Sequence, residues 1–264
     1  MVKVIVVGID GLGGRYINSQ NAPFISSLFK KGTYTTKMEN VAITTSAPNW
    51  TSLLSGVDSK KHGIVDENWK SRRDKSLPFP TILDFLYNTK KDFSIFYSGS
   101  VKRSIEKNIV LKSSYHTKWS LSDQGSLRNA ISQINKKQPD FLFLHFDLVD
   151  VFGHIFGYGS KLYNWMARRT DSKVKKLVDL LHQKKLMENT TLIITSDHGG
   201  IKRNHGGNTP EEKETFFVIV GPNVNQNKTI KFSSIVDITP TITHILNLEK
   251  KDYWDGKLIK EIFN

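Results

Sequence analysis

Carboxylate and imidazole side chains recur in this sequence where strongly apolar runs end. Four places carry them: Asp10, Asp147 and Asp150 with His154, Asp197-His198, and His205. In an open α/β sheet, ligands bind beyond the carboxyl ends of the strands, so these side chains should converge although they are distant in sequence. Oxygen and nitrogen ligands without any thiolate suit zinc, manganese or a related divalent ion. The pattern therefore predicts a metal site.

A cluster of hydroxyl side chains lies between these positions in the sequence Thr44-Thr45-Ser46-Ala47-Pro48-Asn49-Trp50-Thr51-Ser52. Two metal ions about 3.5 to 4 Å apart can lower the pKa of a coordinated hydroxyl, polarise a phosphoryl oxygen and stabilise a leaving oxygen. A Ser or Thr alkoxide is a plausible nucleophile under these conditions. Together, the hydroxyls and the ligands predict phosphoryl-transfer chemistry.

Each of these residues also has an ordinary structural interpretation when it is taken alone. An Asp after a strand, such as Asp10, is commonly a helix cap. A single His such as His205 is more often a surface or core residue, and Asp-His-Gly at 197–199 is compatible with a simple turn. It is much less expected by chance that residues able to bind a metal should follow four separate apolar runs. Their joint occurrence favours the metal site.

The elements that must position these residues alternate between strands and helices. Residues 2–7 form a near-continuous Val/Ile run, which is typical of a strand buried on both faces of a parallel sheet. Further strands are predicted at 93–97, 141–146, 191–195 and 215–220, and helices at 81–88, 126–135, 163–185 and 240–248. This order predicts an α/β fold with a mainly parallel central sheet and helices on both faces. We expect a single domain over 1–264 with a lid-like insertion at about 66–123.

Composition limits the classes of protein that fit. The 264 residues are 38% hydrophobic and include 15 Phe and 5 Trp, which indicates a folded globular chain. The net charge of +13 is spread as Lys pairs without a basic block, so specific nucleic-acid binding is not expected. Zero cysteines exclude disulfides and thiol catalysis. With no signal peptide and no spanning segment, we expect a cytoplasmic protein without a membrane partner.

Taken in order, the motifs resemble the alkaline phosphatase superfamily, and within it the type I phosphodiesterase / nucleotide pyrophosphatase branch. The resemblance is carried by Ile9-Asp10-Gly11, Thr45 to Ser52, His62-Gly63-Ile64, Asp150 to His154, Ser196 to Gly199, His205-Gly206-Gly207, and residues 236–242. It implies an alkaline phosphatase-like fold and two divalent ions. Zinc is the preferred identity of these ions, and manganese or another divalent ion is the alternative. One ion would be held by Asp10, Ser46, Asp197 and His198, and the other by Asp150, His154 and His205.

The resemblance also implies a covalent phospho-serine at Ser46, since the nucleophile stands two residues before Pro48; Thr44 and Thr45 stay open as alternatives. It assigns Asn49 to a non-bridging phosphoryl oxygen, and Trp50 is a tentative substrate contact. Because no Arg lies near Ser46 in sequence, diesters are favoured over monoesters. Asp147 would support a ligand.

The expected function is hydrolysis of phosphodiester or pyrophosphate bonds in a small nucleotide-like phosphate ester. The alternatives are a phosphomonoesterase or phosphonate hydrolase of the same superfamily, or a non-catalytic basic nucleotide-binding module. A sulfatase is the weakest alternative, because Trp50 stands where that class has Arg. The oligomeric state stays open.

Overall fold

A central sheet organises the fold, which comes from a computed structural model that describes residues 3–65, 78–98 and 116–263. The strands of this described part are β1 (Lys3–Ile9), β2 (Thr33–Glu39), β3 (Phe93–Ser98), β4 (His116–Ser120), β5 (Phe141–Phe146), β6 (Thr190–Thr195), β7 (Glu214–Val220) and β8 (Lys228–Thr229). They form one sheet in the order β4-β3-β5-β1-β6-β7-β2-β8.

The middle of the sheet is parallel, as predicted. β1 lies between β5 and β6, and Gly8 of β1 pairs with both His145 and Thr195. β7 is the exception, because it runs antiparallel to β6 and β2. The register of β1, β5 and β6 places their carboxyl ends side by side, so the residues that follow them emerge at one edge.

Helices cover both faces of the sheet, which confirms the predicted fold class. They are α1 (Pro23–Ser27), α2 (Ser46–Ser55), α3 (Ser59–His62), α4 (Ile82–Asn88), α5 (Asp123–Lys136), α6 (Leu148–Phe156), α7 (Lys161–Gln183), α8 (Pro210–Lys213) and α9 (Ile238–Ile245). Alternate residues of β1 serve two separate cores: Val4 and Val6 pack with α2, α4 and α9, whereas Ile5 and Val7 pack with α1, α5 and α7. Over the described ranges, no helix combines the length and apolar character that a membrane span requires.

The predicted insertion at 66–123 lies only partly within the described residues. Residues 66–77 and 99–115 fall outside them. The remainder contains α4, which begins with a capping box between Thr81 and Asp84. It also contains β3 and β4, which pair in parallel as part of the central sheet.

Candidate active site

Asp10 stands at the centre of a buried cluster at the carboxyl end of β1. One carboxylate oxygen, Oδ1, accepts a hydrogen bond from Ser46 Oγ at 3.1 Å. The other oxygen, Oδ2, accepts one from Trp50 Nε1 at 3.1 Å and lies 3.2 Å from His145 Nε2. The carboxylate therefore has one oxygen toward the Ser46 hydroxyl and one toward the protein interior.

Ser46 occupies the first turn of α2, whose N-cap residue, Thr45, has extended backbone angles. Its Oγ lies 3.1 Å from Asp10 Oδ1 and 3.2 Å from His198 Nε2. The hydroxyl of Thr44 is used differently, because it donates to the Gly207 carbonyl and accepts from the Gly206 amide. Ser46 thus faces the ligand-type residues, while Thr44 holds the loop after His205.

Four imidazoles of the site present the same ring nitrogen inward. In each of them Nδ1 lies within hydrogen-bond distance of a main-chain carbonyl oxygen, which can only accept a hydrogen. The hydrogen of the neutral ring therefore sits on Nδ1, and the lone pair of Nε2 is left for the site. The pairs are His145 with Ser98 at 3.1 Å, His154 with Arg203 at 2.9 Å, His198 with Gly199 at 2.9 Å, and His205 with Thr44 at 2.8 Å.

The Nε2 atoms and carboxylates form two groups that meet at His198, which also lies with Asp150 and His205 in one set of ligand atoms within 4.8 Å of one another. In the first, His198 Nε2 lies 3.5 Å from Asp10 Oδ1 and 3.4 Å from Asp197 Oδ2. The buried Asp197 Oδ2 accepts no hydrogen bond from the described residues. In the second, Nε2 of His154 and Nε2 of His205 face each other at 3.0 Å, with Asp150 3.3 Å from the former and 3.8 Å from the latter. Two facing lone pairs repel unless a proton or cation lies between them, so these donors fit divalent metal ions.

The directions of the pKa shifts in the site agree with a place for divalent cations. Burial raises the pKa of Asp10 well above 3.8, and the negative charge of Asp197 raises it further. Burial, and then Asp150, likewise raise the pKa of Asp197. Burial lowers the pKa of His205 to about 3, whereas the hydrogen bond to Asp150 raises the pKa of His154 to about 9. A divalent cation would offset the cost of burying several carboxylates together.

Sequence reasoning missed His145, Tyr158 and the role of Gly11. His145 lies in β5, and its side chain forms a third group of ligand-type atoms with Asp10 and Asp147. A histidine inside the otherwise apolar run 141–146 was the available signal. The Tyr158 hydroxyl donates a hydrogen bond to Asp150 Oδ1. Gly11 has φ +68°, and a Cβ there would lie 2.5 Å from Asp150 Oδ1, so glycine admits this close approach.

Two of the predicted site residues, Asn49 and Trp50, are buried and contact other parts of the protein in this structure. Asn49 is buried, and both hydrogens of its amide are used, by the carbonyls of Ile43 at 2.8 Å and Thr45 at 2.9 Å. The predicted contact of Asn49 with a phosphoryl oxygen stays a prediction, and in this structure its amide hydrogens are directed at the main chain instead. Trp50 is fully buried and packs on Gly8, so the structure gives no exposed surface to its tentative contact with substrate, which also stays a prediction.

Comparisons with known proteins place this site in context. The family model described as type I phosphodiesterase / nucleotide pyrophosphatase matches residues 4–217. Bis(5'-adenosyl)-triphosphatase ENPP4 of Pongo abelii is 28% identical over 218 residues, which cover 75% of this chain and 47% of that protein. Ectonucleotide pyrophosphatase/phosphodiesterase family member 5 of Homo sapiens is 26% identical over 219 residues, covering 75% and 44%. The chain thus spans about half the length of these curated relatives.

Solved structures share the whole architecture. An inactive murine ectonucleotide pyrophosphatase/phosphodiesterase 5 in complex with AMP superposes with a TM-score of 0.83 at 18% identity, covering 100% of both chains. A 2-O GAG sulfatase superposes with a TM-score of 0.81 at 12% identity, covering 97% of this chain and 73% of the other. At these identities the likeness concerns the fold alone, and it confirms the fold that the motifs predicted.

Proposed function

Because the chain belongs to the type I phosphodiesterase / nucleotide pyrophosphatase family, we propose that it is a metal-dependent hydrolase of phosphodiester or pyrophosphate bonds in small nucleotide-like molecules. One observation carries the proposal. The Ser46 hydroxyl lies at the N-terminal end of a helix, 3.1 Å from a buried carboxylate and 3.2 Å from an imidazole nitrogen, beside a second group of inward-facing imidazoles.

The residues present fit two divalent ions. Asp10, Ser46, Asp197 and His198 would hold one ion, and Asp150, His154 and His205 would hold the other. Zinc is the first choice and manganese the alternative, because the donors are oxygen and nitrogen without thiolate. When bound, such ions lower the pKa of a coordinated hydroxyl and offset negative charge on phosphoryl oxygens.

In the proposed reaction, the Ser46 hydroxyl gives up its proton as Oγ attacks phosphorus, the bond from phosphorus to the leaving oxygen breaks, the leaving oxygen takes up a proton, and a phospho-serine forms. Water then cleaves the bond between Ser46 Oγ and phosphorus. The hydrogen bond from Ser46 to Asp10 Oδ1 fixes the rotation of the hydroxyl. The N-terminal end of α2 presents a partial positive charge, which favours an anionic phosphoryl group at this position.

The substrate class in this proposal rests on the family and its members. One similar protein is named a bis(5'-adenosyl)-triphosphatase, and a protein of the same fold holds AMP. Both names indicate nucleotides, and the first indicates a phosphoanhydride. The cytoplasmic location and the insertion near 66–123 stay predictions beside this proposal.

The test compares turnover on three phosphate substrates and measures the effect of one substitution, at Ser46. The zinc- or manganese-loaded protein is assayed on bis-p-nitrophenyl phosphate, p-nitrophenyl phosphate and a dinucleoside polyphosphate. Ser46→Ala should lower turnover on the order of 10⁴-fold or more, because it removes the attacking oxygen. Metal content should persist through the remaining ligands.

Ser55→Ala is the matched control, since Ser55 lies on the same helix and its hydroxyl donates to the Thr51 carbonyl and accepts from the Val57 amide, with no metal-ligand candidate among these partners. Unchanged turnover in the Ser46 variant would refute its role. A preference for the monoester would instead favour the phosphomonoesterase alternative.

A further inference from the structure

Exposed apolar side chains gather where α6 ends and α7 begins. Ile155, Phe156, Leu162 and Trp165 are 52%, 40%, 45% and 48% exposed. The ring of Phe152 lies between them, 5.2 Å from the Phe156 ring and 5.9 Å from the Trp165 ring. We call these five residues the corner patch. Apolar side chains that are exposed together, rather than singly, indicate an interaction surface.

Positive charge surrounds the corner patch. The Arg169 guanidinium lies 5.0 Å from the centre of the Trp165 ring. The exposed basic neighbours in the adjoining segments are Lys161, Arg168, Arg169, Lys175, Lys176, Lys202 and Arg203. Within 151–183 and 199–210, all of which is described, the acidic residues are Asp171 and Asp179. Asp171 is 2% exposed and accepts the amides of Phe24 and Ile25, and Asp179 is paired with Lys175 at 2.7 Å, so neither offsets the charge of the other basic residues.

One face of α7 combines both properties. Leu162, Trp165, Arg169 and Lys176 follow one another at intervals of three, four and seven residues, which places them on the same side of a helix. The apolar pair stands at the beginning of the helix and the basic pair further along. This face therefore runs from apolar to cationic over about 21 Å.

The corner patch adjoins the candidate active site. Helix α6 carries Asp150 and His154, and the same helix supplies Phe152, Ile155 and Phe156. The His154 side chain is 41% exposed, and its Nδ1 donates to the carbonyl of Arg203, one of the basic neighbours. A surface that contacts the corner patch would therefore lie beside the open side of the site.

We propose that the corner patch docks this protein on an anionic phospholipid surface. Trp and Phe rings together with Leu and Ile are the side chains that enter the boundary between headgroups and acyl chains. A border of basic residues, in which the exposed carboxylate of Asp179 is already paired with Lys175, matches a surface of uniform negative charge, as anionic lipids provide. Sequence reasoning expected no membrane partner because it found no spanning segment, but docking at the surface needs none.

The experiment measures sedimentation of the full chain with vesicles of phosphatidylcholine alone or mixed with phosphatidylglycerol. We expect binding to the mixed vesicles only, and binding that weakens as salt rises, because exposed charges are screened beyond about 10 Å at 0.1 M salt. The double variant Arg169→Gln/Lys176→Gln should lose affinity by about fivefold per removed charge. Phe156→Ser/Trp165→Ser should also weaken binding.

Matched controls distinguish the patch from general surface properties. Phe232→Ser removes an aromatic ring that is 89% exposed outside the patch, and Lys228→Gln/Lys231→Gln removes two exposed charges elsewhere. Both controls should bind like the unchanged protein, and thermal unfolding checks that every variant is folded. Equal losses in the control and patch variants would overturn the proposal in favour of the overall charge.

Equal binding to both vesicle types, or none, would also overturn it. A dimer that dissociates on Phe156→Ser/Trp165→Ser, seen by light scattering, would assign the patch to self-association instead. Because vesicle binding needs no turnover, failure of this proposal is separate from failure of the proposed hydrolase activity.

Discussion

Replacing Trp50 by Phe should loosen the hold of Asp10 on a metal ion while keeping an aromatic ring in the core. The indole nitrogen donates to Asp10 Oδ2 at 3.1 Å, and both side chains are fully buried. The neighbouring His145 carries its hydrogen on Nδ1, directed at the Ser98 carbonyl, so as a neutral ring it has none to donate to Asp10. The indole is therefore the donor that fixes this oxygen.

The expected loss follows from the unpaired oxygen. A buried acceptor left without its donor costs about 1–3 kcal/mol. Removing a hydrogen bond that orients a metal ligand lowers metal affinity by about 10–100-fold, which is the same range of free energy. We expect this loss at the Asp10–Asp197–His198 group and little change at the Asp150–His154–His205 group. Zinc titration against a chromophoric chelator measures both affinities.

Trp254→Phe is the matched control for this experiment. Trp254 is also buried, but it lies at the other end of α2, where its ring contacts Gly56. Both substitutions remove an indole nitrogen and some volume, so both should lower the melting temperature. Only Trp50→Phe should weaken zinc binding. If the two variants bind zinc equally well, the indole does not orient Asp10 and the reasoning fails.

Three further predictions concern the ligands and their neighbours. Because the pKa of His154 is raised to about 9, a proton competes with the metal below that pH. Zinc affinity at its group should rise by up to about tenfold per pH unit and level off near pH 9, and His154→Ala should abolish this slope in calorimetric titrations. The folded-state pKa of Asp197 lies above its ordinary value of 3.8, so its contribution to stability is complete below that pH and is lost as pH rises through the raised pKa. Thermal unfolding in chelator should show this decline, and it should be flatter for Asp197→Asn; an identical decline would contradict the assignment. Tyr158→Phe removes the donor to Asp150 and should lower zinc affinity at that group by about tenfold. A variant with unchanged affinity would show that Asp150 does not need this donor.

The convergence of the ligand residues was predictable because it depends on the positions of the parallel strands more than on the packing of individual side chains. Asp10, Asp150 and Asp197 each follow a buried apolar run, and parallel strands place such positions at one edge. The observed pairing of Gly8 with His145 and Thr195 is the register that achieves this. Periodicity and the types of residue after each strand were enough to predict it.

The surroundings of Ser46 were not predictable in the same way. Helix α2 begins at Ser46, two residues before Pro48. Proline is tolerated there, because the amides of a first helical turn have no intrahelical partner. With the helix starting at Ser46, Trp50 lies one turn further along the same helix and is buried in the core. His145 was missed because its role depends on the register of β5 with β1, which an apolar run does not reveal.

The carbonyls that hold the four site imidazoles carry a consequence for engineering. The acceptors belong to the main chain at Ser98, Arg203, Gly199 and Thr44, so they depend on the path of the backbone and not on side-chain acceptors. The path of the backbone therefore fixes the orientation of the rings. Grafting this site onto another scaffold would require copying its loops, since copying the histidines alone would leave their tautomers undefined.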